Sequence, residues 1–238
     1  MDPVERSAAL EAEGSRLLDV AAVDLEADVP ACPGWRVTEL LGHVANGWEA
    51  FRVIVESGST EPPDFGRLAP TPEEPDDIAR FAAERLALLV PVIGSSDPTR
   101  PVWTWSGIAD VGFYHRRTLI ETAVHRVDAE QAVGQVSPID PDIAFDGVDE
   151  LYSVLLAGFD GASPAGSLHL HQTDGEGELM LTVVDGRIAV THEHGKGDAA
   201  VRAGGADLLL TMYGRLSLDG LEVFGDRSVV EQWIALAP

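Results

Sequence analysis

The stretch ETAVHRVD, residues 121–128, decides the architecture of the first half of the chain. It lies within a segment of about residues 112–133 that is predicted to form one helix, ended by Gly134. Glu121 and His125 are four residues apart, so on a helix their side chains project from the same face, one turn from each other. A carboxylate and an imidazole in this arrangement can bind the same divalent metal ion.

A third ligand is expected from a second helix, predicted over residues 38–57. His43 lies on the apolar stripe of that helix, between Leu40 and Gly47, and therefore faces the core of the domain. Two imidazoles and one carboxylate suit zinc and leave a fourth position open, as in catalytic sites. Spacing alone leaves an alternative open, because Glu-x-x-x-His pairs are common on helices and a lone core histidine is more often only hydrogen-bonded.

Two further helices complete the first domain. Asp2 before Pro3, with Glu5 three residues after Asp2, predicts a helix that reaches about residue 23. An amphipathic run over residues 78–89 follows a proline-rich linker, and Pro91 is expected to interrupt it. Four helices joined in this way suggest an up-and-down bundle.

The pattern changes in the second half of the chain. A fifth helix is predicted over residues 141–158, after which apolar and polar residues alternate and Asp185-Gly186 predicts a hairpin. The predicted strands lie at residues 168–170, 179–183, 188–190, near 201 and at 221–224, and the remaining helices at 206–213 and 228–236. We therefore expect a helical domain over residues 1–140 and an α+β domain over residues 141–238.

Composition narrows the class of partner. Forty acidic residues against sixteen Lys and Arg give a formal net charge of −24, which repels nucleic acid and anionic membrane surfaces. No apolar run reaches the ~18 residues of a membrane span, and the N-terminus lacks the features of a signal peptide. The single cysteine excludes an intramolecular disulfide framework. We therefore expect a cytoplasmic protein that acts on small molecules, as a monomer or a homodimer.

Longer motifs extend the metal-ligand pattern across most of the chain. They are CPGW at 32–35, ELLGH at 39–43, Arg117 and ETAVHRVD at 121–128, followed by LHLHQTD at 168–174, DLLL at 207–210, YGR at 213–215 and VFGD at 223–226. In these motifs the chain resembles the mycothiol-dependent maleylpyruvate isomerase family, whose helical domain belongs to the DinB/YfiT-like metalloenzyme superfamily. The resemblance implies an α+β two-domain fold, in which a DinB-like four-helix bundle precedes a small α+β (SCP2-like) domain.

The resemblance also implies a ligand set. In the family the metal is zinc, and its ligands map onto His43, Glu121 and His125, all of which are present. The chain departs from the family at Arg36, where relatives usually carry a Ser or Thr helix cap.

The activity implied by the resemblance uses mycothiol, a low-molecular-weight thiol, as the nucleophile on a small anionic substrate. A metal that coordinates a thiol deprotonates it. Addition of the thiolate to an activated double bond permits rotation, and elimination then releases the other geometric isomer. Without elimination the same step is a thiol S-transferase reaction. A non-catalytic, metal-stabilised ligand-binding protein, with its fourth coordination position closed, is a third alternative.

Three further residues are candidates for roles around the metal. Arg215 follows a predicted helix of the second domain and matches an Arg of the family, so it is expected to hold a substrate carboxylate, although a surface ion pair is equally compatible. Asp128, about one turn beyond His125, is placed to orient that imidazole or to form a plain salt bridge. Arg117 precedes Glu121 by four residues and is placed to pair with it or to reach the cofactor.

Other reactive side chains are expected to be structural. Cys32 has no basic neighbour in sequence and is predicted to be an inert thiol. His169 and His171 share one face of a predicted strand, and His192 and His194 share one face near the next hairpin. Alternation of polar residues on an open sheet face explains both pairs without a metal.

Overall fold

The computed structural model describes residues 1–107, 109–158, 161 and 163–237, and it divides into the units Met1–Ser137 and Pro138–Pro238. The first unit is helical and the second combines helices with a sheet, which confirms the predicted α+β two-domain class. The helices of the first unit are α1 (Pro3–Ala21), α2 (Val37–Ser57), α3 (Pro75–Ser95) and α4 (Val111–Ala132), with a short 3-10 turn at Phe65–Arg67.

Side-chain caps determine where the first two helices begin. The Asp2 carboxylate accepts a hydrogen bond from the Glu5 backbone N–H at 2.9 Å, and the Glu5 carboxylate accepts one from the Asp2 backbone N–H at 2.8 Å. At the start of α2, Glu39 accepts from the Arg36 N–H at 2.8 Å, but a guanidinium has no acceptor atom with which to complete the box. The Thr38 hydroxyl instead donates to the Leu25 carbonyl at 2.7 Å and ties the helix to the preceding loop.

Helix α3 does not stop at Pro91, contrary to the sequence prediction. It continues to Ser95, so the proline lies inside the helix. Proline removes one backbone N–H and leaves the carbonyl four residues earlier, that of Ala87, without its helical partner. Both Pro91 and Ala87 are exposed, so water can bind that carbonyl and the helix tolerates the missing bond.

The bundle is not a simple up-and-down arrangement in which each helix neighbours the next. Helix α1 packs along α3 and α4, and α2 packs along the same two helices, whereas α1 and α2 make few contacts. Helices consecutive in sequence, α1 with α2 and α3 with α4, therefore lie diagonally across the bundle. The connecting segments, residues 22–36 and 96–110, are long enough to cross its end.

The second unit contains α5 (Pro141–Glu150), a π-helical turn (Leu151–Leu155), α6 (Gly205–Met212), α7 (Arg227–Ile234) and a five-stranded sheet. The strands are β1 (Leu168–Gln172), β2 (Glu178–Val184), β3 (Arg187–Thr191), β4 (Ala199–Ala203) and β5 (Glu222–Gly225), in the spatial order β3-β2-β1-β4-β5. Strands β1 and β4 are parallel, and the other neighbours are antiparallel.

The two faces of this sheet have different side chains. Leu168 and Leu170 of β1 align with Leu181 and Leu179 of β2, and all four are fully buried. Helices α6 and α7 both pack against β1 and β4, as expected for one apolar sheet face covered by helices. Because side chains alternate along a strand, His169 and His171 lie on the opposite face. None of the described helices is long and apolar enough to cross a membrane.

A buried ionic network joins α1 to α4 in the first unit. Arg126 is fully buried, and its Nε donates to a carboxylate oxygen of Glu13 at 2.5 Å while its Nη1 donates to Glu130 at 2.8 Å. Glu130 also accepts from the Ser137 backbone N–H at 2.9 Å. The network therefore ties the end of the unit to two helices, and it depends on one guanidinium.

We predict that Arg126→Ala destabilises the protein by roughly 3–5 kcal/mol, because it leaves two buried carboxylates without their cation. Urea unfolding followed by circular dichroism measures the loss. The control is Arg80→Ala, which removes an exposed pair with Asp77 and is expected to cost less than about 1 kcal/mol. Similar losses in the two variants would contradict this account of the network.

Candidate metal centre

The structure brings the three sequence-predicted ligands together on two helices of the first unit. His43 comes from α2, and Glu121 and His125 come from α4. One donor atom from each residue lies within 4.8 Å of the other two. The His43 and His125 rings meet edge to face with their centroids 5.1 Å apart. The i,i+4 pair and His43 of the second helix therefore converge on one point. His43 does not face the core as the sequence predicted, because 45% of its side-chain surface is exposed.

Glu121 divides its two carboxylate oxygens between the cluster and a cation. Oε1 lies 3.5 Å from His43 Nε2, and Oε2 accepts a hydrogen bond from Arg117 Nε at 3.1 Å. Burial raises the pKa of Glu121, but the hydrogen bond from His43 and the positive charges of Arg117 and His125 outweigh this effect and lower the pKa to about 2. The carboxylate is consequently ionised at neutral pH, the form that binds a metal ion.

The two histidines are oriented by different neighbours. His125 Nδ1 lies 2.9 Å from an oxygen of Asp128, whose side chain is fully buried. A carboxylate at Nδ1 directs Nε2 of the same ring toward the cluster. The His43 ring packs against Trp35 with centroids 5.1 Å apart, and its side chain keeps 45% of its surface exposed. The cluster is thus anchored on the His125 side and open on the His43 side.

A buried contact fixes α2 against α4 beside the cluster. The indole N–H of Trp48 donates to Thr122 Oγ1 at 2.9 Å, and the Thr122 hydroxyl donates to the Thr118 carbonyl at 2.6 Å. Gly47 lies on the same side of α2, where an added Cβ would stand 3.4 Å from Glu121 Oε1. A small residue at this position leaves space for the carboxylate.

The donor set fits a zinc-type ion. Metal–ligand bonds of about 2.0–2.2 Å place tetrahedral donors roughly 3.4 Å apart. Small side-chain rotations bring atoms that now lie within 4.8 Å to that spacing. Two imidazoles and one carboxylate also form the three-ligand set typical of catalytic zinc.

Cys32 lies beside this centre. Its Sγ is 3.9 Å from an oxygen of Asp128, and Cys32, His125 and Asp128 form a second group whose donor atoms lie within 4.8 Å of one another. The loop between α1 and α2 carries the thiol there. Sequence neighbours could not predict this position, because the contact spans 96 residues of sequence, and the inertness of the thiol stays a prediction.

The remaining candidates lie in the second unit. Arg215 follows α6, and its Nη1 donates to the Tyr213 carbonyl at 2.7 Å. His192 does not join His194 but lies 3.1 Å from Asp149. His169, His171 and His194 instead surround Glu178, a residue that the sequence analysis did not single out.

Two models of one protein family match the chain in order along the sequence. The model of the mycothiol maleylpyruvate isomerase N-terminal domain matches residues 7–130, and the C-terminal domain model of the same family matches residues 142–232. The chain belongs to the mycothiol maleylpyruvate isomerase family. Membership confirms the resemblance seen in the motifs, and it classes the chain with enzymes while leaving the reaction open.

Solved structures of similar fold agree with the family match. A crystal structure of mycothiol-dependent maleylpyruvate isomerase has 16% sequence identity and a TM-score of 0.67, and covers 94% of this chain and 93% of that chain. A histidine-to-alanine mutant of mycothiol-dependent maleylpyruvate isomerase has 15% identity and a TM-score of 0.68, with the same coverage. At this identity the likeness shows the fold. No curated protein sequence matches the chain.

We predict that Asp128→Ala weakens zinc binding by about 10–100-fold, because the His125 ring loses the partner that orients it. Asp128→Asn retains an acceptor oxygen and should recover part of the loss. Competition with a chromophoric chelator measures both affinities. Asp77→Ala removes an exposed carboxylate of α3 and serves as the control. Unchanged affinity in Asp128→Ala would argue against the role of this carboxylate.

Proposed function

We propose that this protein is a zinc-type metalloenzyme that uses mycothiol as a nucleophile in a maleylpyruvate isomerase-like cis–trans isomerisation of a small anionic substrate. The observation that carries the proposal is the convergence of His43, Glu121 and His125, with donor atoms within 4.8 Å. Family membership supports the thiol, since the family and its solved relatives are described by their use of mycothiol.

Three residues are proposed to bind the ion, and two neighbouring residues orient the ligands on α4. His43 presents Nε2 and Glu121 presents Oε1 on one side of the cluster. Arg117 holds the other oxygen of Glu121, and Asp128 holds Nδ1 of His125, so each ligand on α4 has one atom committed to a neighbour and one directed to the cluster. Such preorganisation reduces the rearrangement that binding requires.

A bound ion of this type supplies the acidity that keeps a thiol in its thiolate form at neutral pH. The exposed side of His43 provides access for a small molecule to the cluster. Three protein ligands leave a fourth position for an exchangeable group, and this arrangement favours an enzyme over a structural metal site.

Arg215 is proposed to bind the substrate carboxylate. Its planar guanidinium matches a carboxylate with two parallel hydrogen bonds, and it is one of few cations in a chain of net charge −24. Its bond to the Tyr213 carbonyl and its approach to the Tyr213 ring, 5.6 Å from the centroid, restrict the side chain. A restricted side chain loses less entropy when it binds an anion.

Titration of the cobalt-substituted protein with mycothiol tests the proposal. We expect an intense thiolate-to-cobalt charge-transfer band in the wild type and its loss in His43→Ala, because removal of one ligand empties the centre. His192→Ala is the matched control and should keep the band, since His192 pairs with Asp149 in the other unit. Metal analysis of the same samples should show the loss of one equivalent in His43→Ala.

Three outcomes decide between this proposal and its two alternatives. No spectral change with any low-molecular-weight thiol would remove the nucleophile and leave a metal-stabilised binding protein. With maleylpyruvate as substrate, mycothiol recovered unchanged after many turnovers identifies an isomerase. Stoichiometric consumption of mycothiol identifies an S-transferase, because the carbon–sulfur bond then persists in the product.

We further predict that Arg215→Ala lowers kcat/KM for the anionic substrate on the order of 100-fold or more, with metal content unchanged. Arg215→Lys keeps the charge but loses the planar guanidinium, so its kcat/KM should lie between those of the wild type and Arg215→Ala. The control Arg227→Ala removes an exposed cation that pairs with Asp219 and Glu231, and it should leave the kinetics unaltered. Wild-type kinetics in Arg215→Ala would exclude this residue from substrate binding.

A further inference from the structure

A second group of histidines and a carboxylate lies on the sheet of the second unit. His169 and His171 belong to β1, Glu178 begins β2, and His194 follows β3. The sheet register explains the meeting, because His171 is the direct cross-strand neighbour of Glu178 and His169 lies two residues away on the same face. Strand β3 pairs with β2, and the segment after it returns His194 to this point.

Three imidazoles contact one carboxylate in this group. Glu178 Oε2 lies 2.5 Å from His169 Nε2, and Oε1 lies 2.5 Å from His171 Nδ1 and 3.2 Å from His194 Nδ1. The rings of His169 and His194 meet edge to face with centroids 5.1 Å apart. A simple ion pair needs only one imidazole and one carboxylate. This group holds three imidazoles around one carboxylate, so it offers more possible metal ligands than an ion pair requires.

The donor geometry resembles that of the first centre. One donor atom each from His169, Glu178 and His194 lies within 4.8 Å of the other two. His169 is buried and Glu178 partly buried, whereas the His194 side chain is 78% exposed. Two imidazoles and one carboxylate are again the set that zinc prefers, here with one exposed ligand through which an ion can enter.

We propose that His169, Glu178 and His194 form a second binding site for a divalent, zinc-type metal ion, separate from the centre on α2 and α4. His171 is a positioning residue in this site, because its Nδ1 bonds the oxygen of Glu178 that also faces His194. The ion takes the place of the hydrogen bonds between the imidazoles and the carboxylate, and it connects the segment after β3 to strands β1 and β2.

A cavity beside the cluster provides room for the remaining coordination position. It measures about 300 Å³ and is lined by the three histidines together with Ala200, Val201, Arg202 and Phe224. Water or a small ligand can complete the coordination there. A site for a free anion is disfavoured, because the negative charge of Glu178 stands at the middle of the three rings.

This proposal is independent of the proposed function, since the donors lie on a different unit. Zinc binding is measured on the full-length protein by equilibrium dialysis and elemental analysis, with zinc as the only probe. We expect two equivalents in the wild type and one in His194→Ala or Glu178→Gln, with the affinity of the lost site reduced by at least about 100-fold. The control His192→Ala should keep both equivalents.

Variants that carry His43→Ala, alone or together with His194→Ala, distinguish zinc bound at the two centres. His43→Ala should keep one equivalent, and His43→Ala with His194→Ala should keep none. His194 is exposed, so its replacement removes no core packing, and circular dichroism verifies the fold of each variant. Zinc should also raise the Tm of His43→Ala but not that of the combined variant.

The stoichiometry has outcomes that overturn each proposal separately. A single equivalent that is lost in His43→Ala and unaffected by His194→Ala and Glu178→Gln would overturn the second site. A single equivalent that survives in His43→Ala and is lost in His194→Ala would support the second site and count against the first.

Discussion

The candidate centre of the first unit depends on the register of α2 against α4, because its proposed ligands are divided between these helices. The bond between the buried Trp48 indole and Thr122 fixes that register. Both groups are excluded from water, so breaking the bond leaves unpaired polar atoms at a cost of about 1–3 kcal/mol. Sliding of one helix along the other is therefore opposed at the position next to Glu121, and His43 stays within reach of its partners.

The charge of Glu121 is maintained by its surroundings. In a largely buried position a carboxylate tends to take up a proton, and here Arg117 and the two imidazoles prevent this. Arg117 occupies one oxygen and leaves the other directed at His43. An acidic chain of net charge −24 thus uses one of its few cations to keep a proposed metal ligand ionised. The same arrangement limits the rotation of the carboxylate.

The features that could be predicted from the sequence are those that depend on local helix geometry. The pairing of Glu121 with His125 follows from helix periodicity alone. The apolar stripe of α2 indicated the side of the helix that carries His43, but not that its side chain stays 45% exposed. Contacts between distant segments carry no such local signal. The position of Cys32 depends on how a loop closes over α4, and the role of Glu178 depends on a strand register that alternation alone does not specify.

Similar sets of histidines and a carboxylate occur on a helix pair and on a sheet in this chain. The two sets differ in the sequence spacing that brings side chains to one face. On α4 a spacing of four residues brings Glu121 and His125 to one face, and a second helix adds the third donor. On β1 a spacing of two residues brings His169 and His171 to one face, and the carboxylate comes from the paired strand β2. Each unit has its own buried core, which holds the helices or strands that carry its donors. Polar residues on an open sheet face and a strand-borne ligand pair look identical in sequence, so alternation alone does not predict a metal site. Only the cross-strand partner distinguishes them, and in this chain that partner is a carboxylate.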